Sequence, residues 1–251
     1  MTSLPRPILV GIAAAWVAAI AAQAAGAAAL VHHDALLVGD GPPLAVAALL
    51  SLLAWQVMIA AMMLPSSLPL VRLYSRASER APRRGRSMAA FIGGYAVVWS
   101  AFGLAAFGAD AGLHAAVNAS PWLERHDWWI GGAVLALAGA FQFTSLKDAC
   151  LDKCRHPGQF LMRYYERGPS GGFRLGVRHG AFCVGCCWAL MLVMFAVGVA
   201  SLIWMALLTA VMIHEKTRPG GADAVPVTGV ALLGAASVVL LYSAYAAGAL
   251  G

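Results

Sequence analysis

Charged side chains are scarce in this chain. Asp, Glu, Lys and Arg make up 11% of its 251 residues, whereas soluble domains carry about 25%. Hydrophobic residues account for 61%, the mean hydropathy is +0.76, and the apolar residues fall in runs near membrane-spanning length. This composition excludes an ordinary soluble domain and indicates a polytopic membrane protein. Ionisable residues are almost absent inside the runs, which argues against an ion-coupled transporter.

Several common sequence signatures are also missing. The chain has no P-loop, no glycine-rich dinucleotide fingerprint and no His-Glu-x-x-His motif. No secretory signal is evident, because the first apolar segment is too long and lacks a clear cleavage site. The five cysteines are an odd number and do not form the pattern of a secreted disulfide framework. The formal charge of +6 comes from residues between the apolar runs, so we expect no nucleic-acid partner.

The predicted fold is an all-α bundle of transmembrane helices that forms a single integral membrane domain over residues 1–251. We count seven spans, with six as the alternative. The run 180–213 is too long for one span of about 20 residues, so we predict two helices that turn near Gly198, with one long tilted helix as the alternative. The predicted spans are 8–31, a span that begins near 44 and is kinked by Pro65 and Pro69, 88–108, 128–146, the two within 180–213, and 225–247.

The basic residues set the expected orientation. If the N-terminus and the loops 72–87 and 147–178 face the cytoplasm, every Lys and Arg except Arg125 lies on that side. We therefore predict a multi-pass membrane protein with its N-terminus in the cytoplasm and the lipid bilayer as its main partner. Cytoplasmic cysteines stay reduced and remain available to a metal ion.

All five cysteines lie in two short stretches. One is His179-Gly-Ala-Phe-Cys183-Val-Gly-Cys186-Cys187, and the other is Cys150-Leu-Asp-Lys-Cys154. At about 100° per residue, the four possible ligands of the first stretch share an arc of about 100° on one helix face. The spacing of Cys150 and Cys154 also places both on one face.

The predicted orientation brings these groups to one membrane leaflet. Met62 and Met63 lie near the cytoplasmic end of the second span, at a depth similar to that of Cys186 and Cys187. Thiolates and thioethers select Cu(I), zinc or iron–sulfur centres, and the two methionines favour Cu(I), with zinc or iron as alternatives. The predicted metal ligands are Cys150, Cys154, His179, Cys183, Cys186, Cys187, Met62 and Met63.

The sequence leaves alternatives open for the function and for the polar residues. The cysteines could instead exchange disulfides in a membrane thiol oxidoreductase, serve a metal-dependent oxidase subunit, or only pack. We predict no catalytic residue and lean against an enzyme. Gln142, Thr144 and Lys147 fit either support of the thiolates or ordinary helix contacts. We interpret His214-Glu215-Lys216 as a solvated helix end. The residues expected on the outer side are interpreted as solvated loops rather than a second metal site: His32, His33, Asp34, Asp110, His114 and His126.

Four stretches of this sequence resemble a bacterial family of predicted metal-binding integral membrane proteins, catalogued as a domain of unknown function and sometimes labelled copper chaperones. They are Trp55–Ser66, Phe141–Pro157, His179–Trp188 and Met212–Lys216. The resemblance implies a metal-binding protein of the bacterial cytoplasmic (inner) membrane. We expect such a protein to hand the ion on to another metal-handling protein or to sequester it. The resemblance also implies the same eight candidate ligands.

Overall fold

The structure is a computed structural model and describes residues 6–27, 36–37, 41–79, 81, 83–126, 128–197 and 201–249. Within these ranges every regular element is a helix, in agreement with the predicted all-α fold. The helices are α1 (Arg6–Ala24), α2 (Leu44–Ala77), α3 (Arg84–Ala119), α4 (Pro121–Arg125), α5 (Trp128–Phe141), α6 (Ser145–Arg155), α7 (Pro157–Tyr164), α8 (Gly168–Val197), α9 (Leu202–Thr217) and α10 (Gly221–Ala249).

Five of the described helices are long and apolar enough to cross a membrane: α1, α2, α3, α8 and α10. The pair α5 and α6, bent by 65° at its break, gives a sixth span if the two are taken together. The described helices thus support five or six spans by length and composition, fewer than the seven expected. The difference lies in α9, whose 16 residues extend only about 24 Å, less than the ~30 Å apolar thickness of a bilayer.

The prediction of two helices across residues 180–213 is confirmed, because α8 ends at Val197 and α9 begins at Leu202. Gly198, where the turn was predicted, lies outside the described residues. Lys216, at the far end of α9, returns to within 3.3 Å of Cys183 in the middle of α8. The two helices therefore run antiparallel.

Glycines allow α3 and α8 to pack with their backbones in close approach. A Cβ atom on Gly94 of α3 would collide with the carbonyl oxygen of Phe173, and one on Gly176 of α8 would collide with that of Phe91. Small residues at a helix interface let the two backbones approach closely. Apolar helices commonly associate in this way when no hydrophobic driving force acts between them. This contact fixes α8, the helix that carries three of the five cysteines.

Helix α2 continues through both of its prolines. Pro65 has no N–H group with which to reach the carbonyl of Ala61, four residues earlier. The indole Nε1 of Trp16 on α1 donates to that carbonyl instead, at 3.1 Å. The replacement hydrogen bond anchors α1 to α2 at the level of Met62 and Met63.

Residues 147–178, predicted as a loop, hold α6, α7 and the first turns of α8. Thr144 is the N-cap residue of helix α6. Its hydroxyl accepts a hydrogen bond from the backbone N–H of Lys147 at 3.3 Å. It then packs against α8 and α9. That packing carries Cys150 and Cys154 towards the cysteines of α8.

Candidate metal centre

The five cysteines are free thiols, and all of them are buried. Those of α8 are the more enclosed: Cys183, Cys186 and Cys187 are 0–1% exposed, against 9% for Cys150 and Cys154 on α6. Together with Met62 and Met63 they belong to one hydrophobic core. The sulfur groups therefore lie in the interior of the bundle. Those on α6 are nearer to the protein surface than those on α8.

The two cysteine stretches meet where α6 crosses α8. Cys154 Sγ lies 3.9 Å from Cys186 Sγ, although the two residues are far apart in sequence. Gly185 makes room for the other thiol of α6, because a Cβ atom at that position would lie 2.5 Å from Cys150 Sγ. The Cys150 thiol can therefore pack against α8 one residue before Cys186.

A third helix brings a thioether to the same place. Cys187 Sγ lies 3.6 Å from Met63 Sδ of α2. Met62 is fully buried in the same core. Cys186 and Cys187 are adjacent on α8, so their side chains point about 100° apart around the helix axis. Cys186 therefore faces α6, and Cys187 faces α2.

A buried lysine lies among these sulfur groups, and the sequence analysis missed it. Lys216 Nζ donates to Cys183 Sγ at 3.3 Å, to Cys187 Sγ at 3.7 Å and to Ser66 Oγ at 3.1 Å. Lys216 is 4% exposed. The interpretation of residues 214–216 as a solvated helix end is therefore wrong for Glu215 and Lys216, since the packing of α9 against α2 and α8 encloses them.

The signal that could have identified Lys216 is its place at the end of an apolar run that also contains a soft-ligand helix. A charged group in such surroundings is costly unless it has partners, so its partners are worth seeking. The sequence does not say which helix supplies them. Tyr95 was missed for the same reason: its hydroxyl lies 3.2 Å from Cys183 Sγ.

His179 lies one helical turn from Cys183, and its ring forms a hydrogen bond with a hydroxyl group. Its Nε2 atom is 3.0 Å from Ser67 Oγ. The rings of Phe91 and Tyr95 stack on the imidazole with centroid distances of 6.2 and 5.6 Å. This ring is thus held in place by α2 and α3, and its role as a ligand stays a prediction.

The predicted polar supports contact groups other than the sulfurs. Lys147 Nζ forms an ion pair with Glu215 Oε2 at 2.7 Å, with both side chains buried. The side-chain amide of Gln142 donates to the carbonyl of Ala138, and Thr144 caps α6. Lys147 therefore links α6 to α9, and its ammonium group contacts a carboxylate rather than a cysteine thiol.

The residues that were predicted to lie on the outer side make local contacts where they are described. His114 Nδ1 lies 3.0 Å from the carbonyl oxygen of Asp110, and His126 Nδ1 lies 2.7 Å from that of Trp122, four residues earlier in each case. His32, His33 and Asp34 lie outside the described residues.

Over the ranges that the structure describes, no group of three or more His, Cys, Asp or Glu side chains is arranged to hold a metal ion. The sulfur atoms instead approach one another in pairs, Cys154 with Cys186 and Cys187 with Met63. Structural zinc sites take four ligands in a tetrahedron. The donor set present, thiols with a thioether, is of the soft type that suits Cu(I).

These features define a class: an all-helical protein with several helices long enough for a membrane and a buried set of soft sulfur donors at its centre. A family model, PpoB2, described as "Copper chaperone", matches residues 52–239 of this chain. The chain belongs to that family, and the matched range includes all eight predicted ligands. Neither a curated protein nor a solved structure matches the chain.

Proposed function

We propose that this protein binds Cu(I) through the sulfur groups between α2, α6 and α8 and passes the ion to another metal-handling protein. Copper is then its cargo rather than a resident cofactor. In this proposal the protein spans the bacterial cytoplasmic membrane several times, with its N-terminus and basic loops in the cytoplasm, and acts without catalysis. Family membership supports the link to copper.

The observation that carries the proposal is the 3.9 Å approach of Cys154 Sγ to Cys186 Sγ. A folded chain has no need to bring two thiols from distant stretches together in an apolar interior, where either one alone could serve as a small packing group. Met63 Sδ beside Cys187 Sγ adds a second soft donor within the same core. Copper binding explains both contacts at once.

The gradient of exposure suggests a route for the ion. Cys150 and Cys154 are more exposed than the three cysteines of α8, so copper would meet the α6 pair first on its way in and leave it last. Cys154 then stands between the surface and Cys186. On this view α6 delivers the ion, and α8 with Met63 stores it.

The test is elemental analysis of purified, thiol-reduced protein after loading with Cu(I) and removal of unbound metal. Wild-type protein should retain about one copper ion per chain, and Cys186→Ser should retain much less. Met63→Leu should weaken retention. Met205→Leu, a matched change of a buried methionine at the end of α9 remote from Lys216, should not. Wild-type protein without copper, or a Cys186→Ser variant that binds like wild type, would overturn the proposal.

The same contact favours one other function, that of a membrane thiol oxidoreductase. Joining Cys154 and Cys186 would require their sulfur atoms to close to about 2.05 Å, with two electrons and two protons passing to an acceptor such as a quinone. This alternative predicts a reversible Cys154–Cys186 disulfide and activity in metal-free protein. Copper retention that requires both thiols in their reduced state argues against it.

A further inference from the structure

A groove of about 710 Å³ lies between α1, α2 and α3, and none of its lining residues is a candidate metal ligand. Pro7, Ile8 and Gly11 of α1 form one wall, and the first turns of α3 form the opposite wall. The volume falls within the ~300–1,000 Å³ of typical ligand sites. Gly11 and Ala89, on the two walls, are exposed, so the groove is open to the surroundings of the bundle.

Three glycines of the walls keep this groove empty. A Cβ atom on Gly11, Gly85 or Gly93 would meet no other atom within 4 Å. Gly94, next to the last of them on α3, is different, because its Cβ would collide with the backbone of α8. The glycines of the groove therefore face open space, whereas Gly94 brings two helices together.

The groove is apolar except at one end. Among the described residues that line it, Ser75 and Arg84 alone are polar. Arg84 Nη2 donates to Ser75 Oγ at 2.9 Å, so both groups lie where α2 ends and α3 begins. At ~1.5 Å per residue, Ile92 lies about 12 Å further along α3, and Ala60 lies about 22 Å from Ser75 along α2. These lengths are similar to one leaflet, which is half of the ~30 Å apolar thickness of a bilayer.

The polar end of the groove is positively charged. The guanidinium of Arg84 has further N–H donors beyond the one that Ser75 accepts. No acidic side chain is found among the described lining residues. The first turn of α3 also has no acidic residue, and its N-cap, Arg83, makes no side-chain capping bond. The backbone N–H groups that begin α3 therefore add partial positive charge beside Arg84.

We propose that this groove binds one anionic phospholipid, with the phosphate group at Arg84 and an acyl chain along the apolar walls. A guanidinium pairs well with a phosphate, because two of its N–H groups can donate in parallel. Free phosphate would leave the apolar walls uncovered, and a purely apolar molecule would leave Arg84 without a counter-charge. A phospholipid satisfies both parts of the groove.

The proposed orientation places Arg84 at the cytoplasmic surface of the membrane, where anionic lipids give a negative potential. The lipid site rests on the membrane location that belongs to the proposed function, but it does not depend on copper. It assigns a distinct task to Arg84: the other basic residues of the loop 72–87 set orientation, and Arg84 holds a particular headgroup.

The experiment uses native mass spectrometry of the full chain in detergent, with phosphatidylglycerol and phosphatidylcholine that carry the same acyl chains. Wild-type protein should bind the first phosphatidylglycerol about fivefold more tightly than the first phosphatidylcholine, the effect of one cation near anionic lipid. Arg84→Gln should lose this preference. Arg86→Gln should keep it, because Arg86 is an exposed cation of the same helix end that does not line the groove.

Filling the groove tests its apolar part separately. Gly11→Phe places a ring in the open space and should weaken the binding of both lipids by a similar factor. Gly108→Phe is the matched control, because a Cβ atom at Gly108 also meets nothing within 4 Å but lies outside the groove. It should bind both lipids as wild type does. Helix content and melting check that each variant is folded.

Equal affinity of wild-type protein for the two lipids overturns the proposal, as does an unchanged preference in Arg84→Gln. A Gly11→Phe variant that binds lipid like wild type also overturns it. So does a wild-type dimer that Gly11→Phe prevents, since a second copy of the chain would then occupy the groove. Cys186→Ser should lose copper and bind lipid normally. Failure of the lipid site leaves copper retention intact, so the two failures are distinguishable.

Discussion

Lys147 of α6 and Glu215 of α9 form an ion pair of 2.7 Å in the interior of the bundle, with both side chains almost completely enclosed. The guanidinium of Arg155 adds a second link, since its Nη1 atom donates to the carbonyl oxygen of Glu215 at 2.6 Å. These two contacts hold α6 against the end of α9. They thereby fix the positions of Cys154 and Lys216 relative to each other.

Replacing one member of this ion pair should destabilise the protein far more than replacing both members with apolar groups. Lys147→Met leaves the carboxylate of Glu215 buried without its partner, and such changes typically lower the free energy of unfolding by about 3–5 kcal/mol. The double variant Lys147→Met with Glu215→Leu replaces both charges with apolar groups and should recover most of that loss. Unfolding in detergent, followed by circular dichroism, measures both. A single variant as stable as the double one would contradict the prediction.

The close packing of α3 on α8 should make Gly94 intolerant of any side chain. A Cβ atom there meets the backbone of Phe173, whereas one on the adjacent Gly93 meets nothing within 4 Å. Gly94→Val should therefore lower the melting temperature strongly, because overpacking commonly costs about 1–3 kcal/mol or more. Gly93→Val is the control on the same helix and should have little effect. Equal effects at the two positions would show that backbone approach is not the cause.

The hydroxyl cap of α6 should contribute measurably to stability. Thr144→Ala removes the acceptor for the backbone N–H of Lys147 and should lower the free energy of unfolding by about 1 kcal/mol. Thr144→Ser keeps the acceptor and should stay near wild type. Thr217→Ala is a suitable control, since that hydroxyl only returns to the carbonyl of Ile213 within its own helix. A loss as large in Thr217→Ala would argue against a specific capping effect.

The cysteines should react with alkylating reagents in two groups. Cys150 and Cys154 are 9% exposed and the three cysteines of α8 are 0–1% exposed, so a small maleimide should label the α6 pair first in the folded protein. Mass spectrometry of digested samples over a time course gives the order. Unfolded protein should be labelled at all five positions at similar rates. Labelling of Cys183 before Cys154 in the folded state would contradict the burial described above.

Much of this arrangement could be predicted from the sequence, because it depends on composition and helical periodicity. Scarce charge and long apolar runs predict an all-helical bundle, and residues three or four apart share a helix face. That reasoning placed Cys183, Cys186 and Cys187 together and separated α8 from α9. The span count stays a prediction: the described helices give five or six candidates by length and composition, since α9 is short and the chain bends between α5 and α6.

Which face meets which neighbour is decided by tertiary packing alone. Periodicity could not reveal that Cys186 faces Cys154 while Cys187 faces Met63, because these contacts depend on how α6 and α2 cross α8. The same holds for Lys216, which looks like a solvated helix end until α9 is packed against two other helices. The sequence by itself determined the long apolar helices and the chemistry of the donor groups, since both are local properties. The pairing of the sulfur atoms and the charge beside them depend on contacts between distant residues, and only the folded bundle decides those.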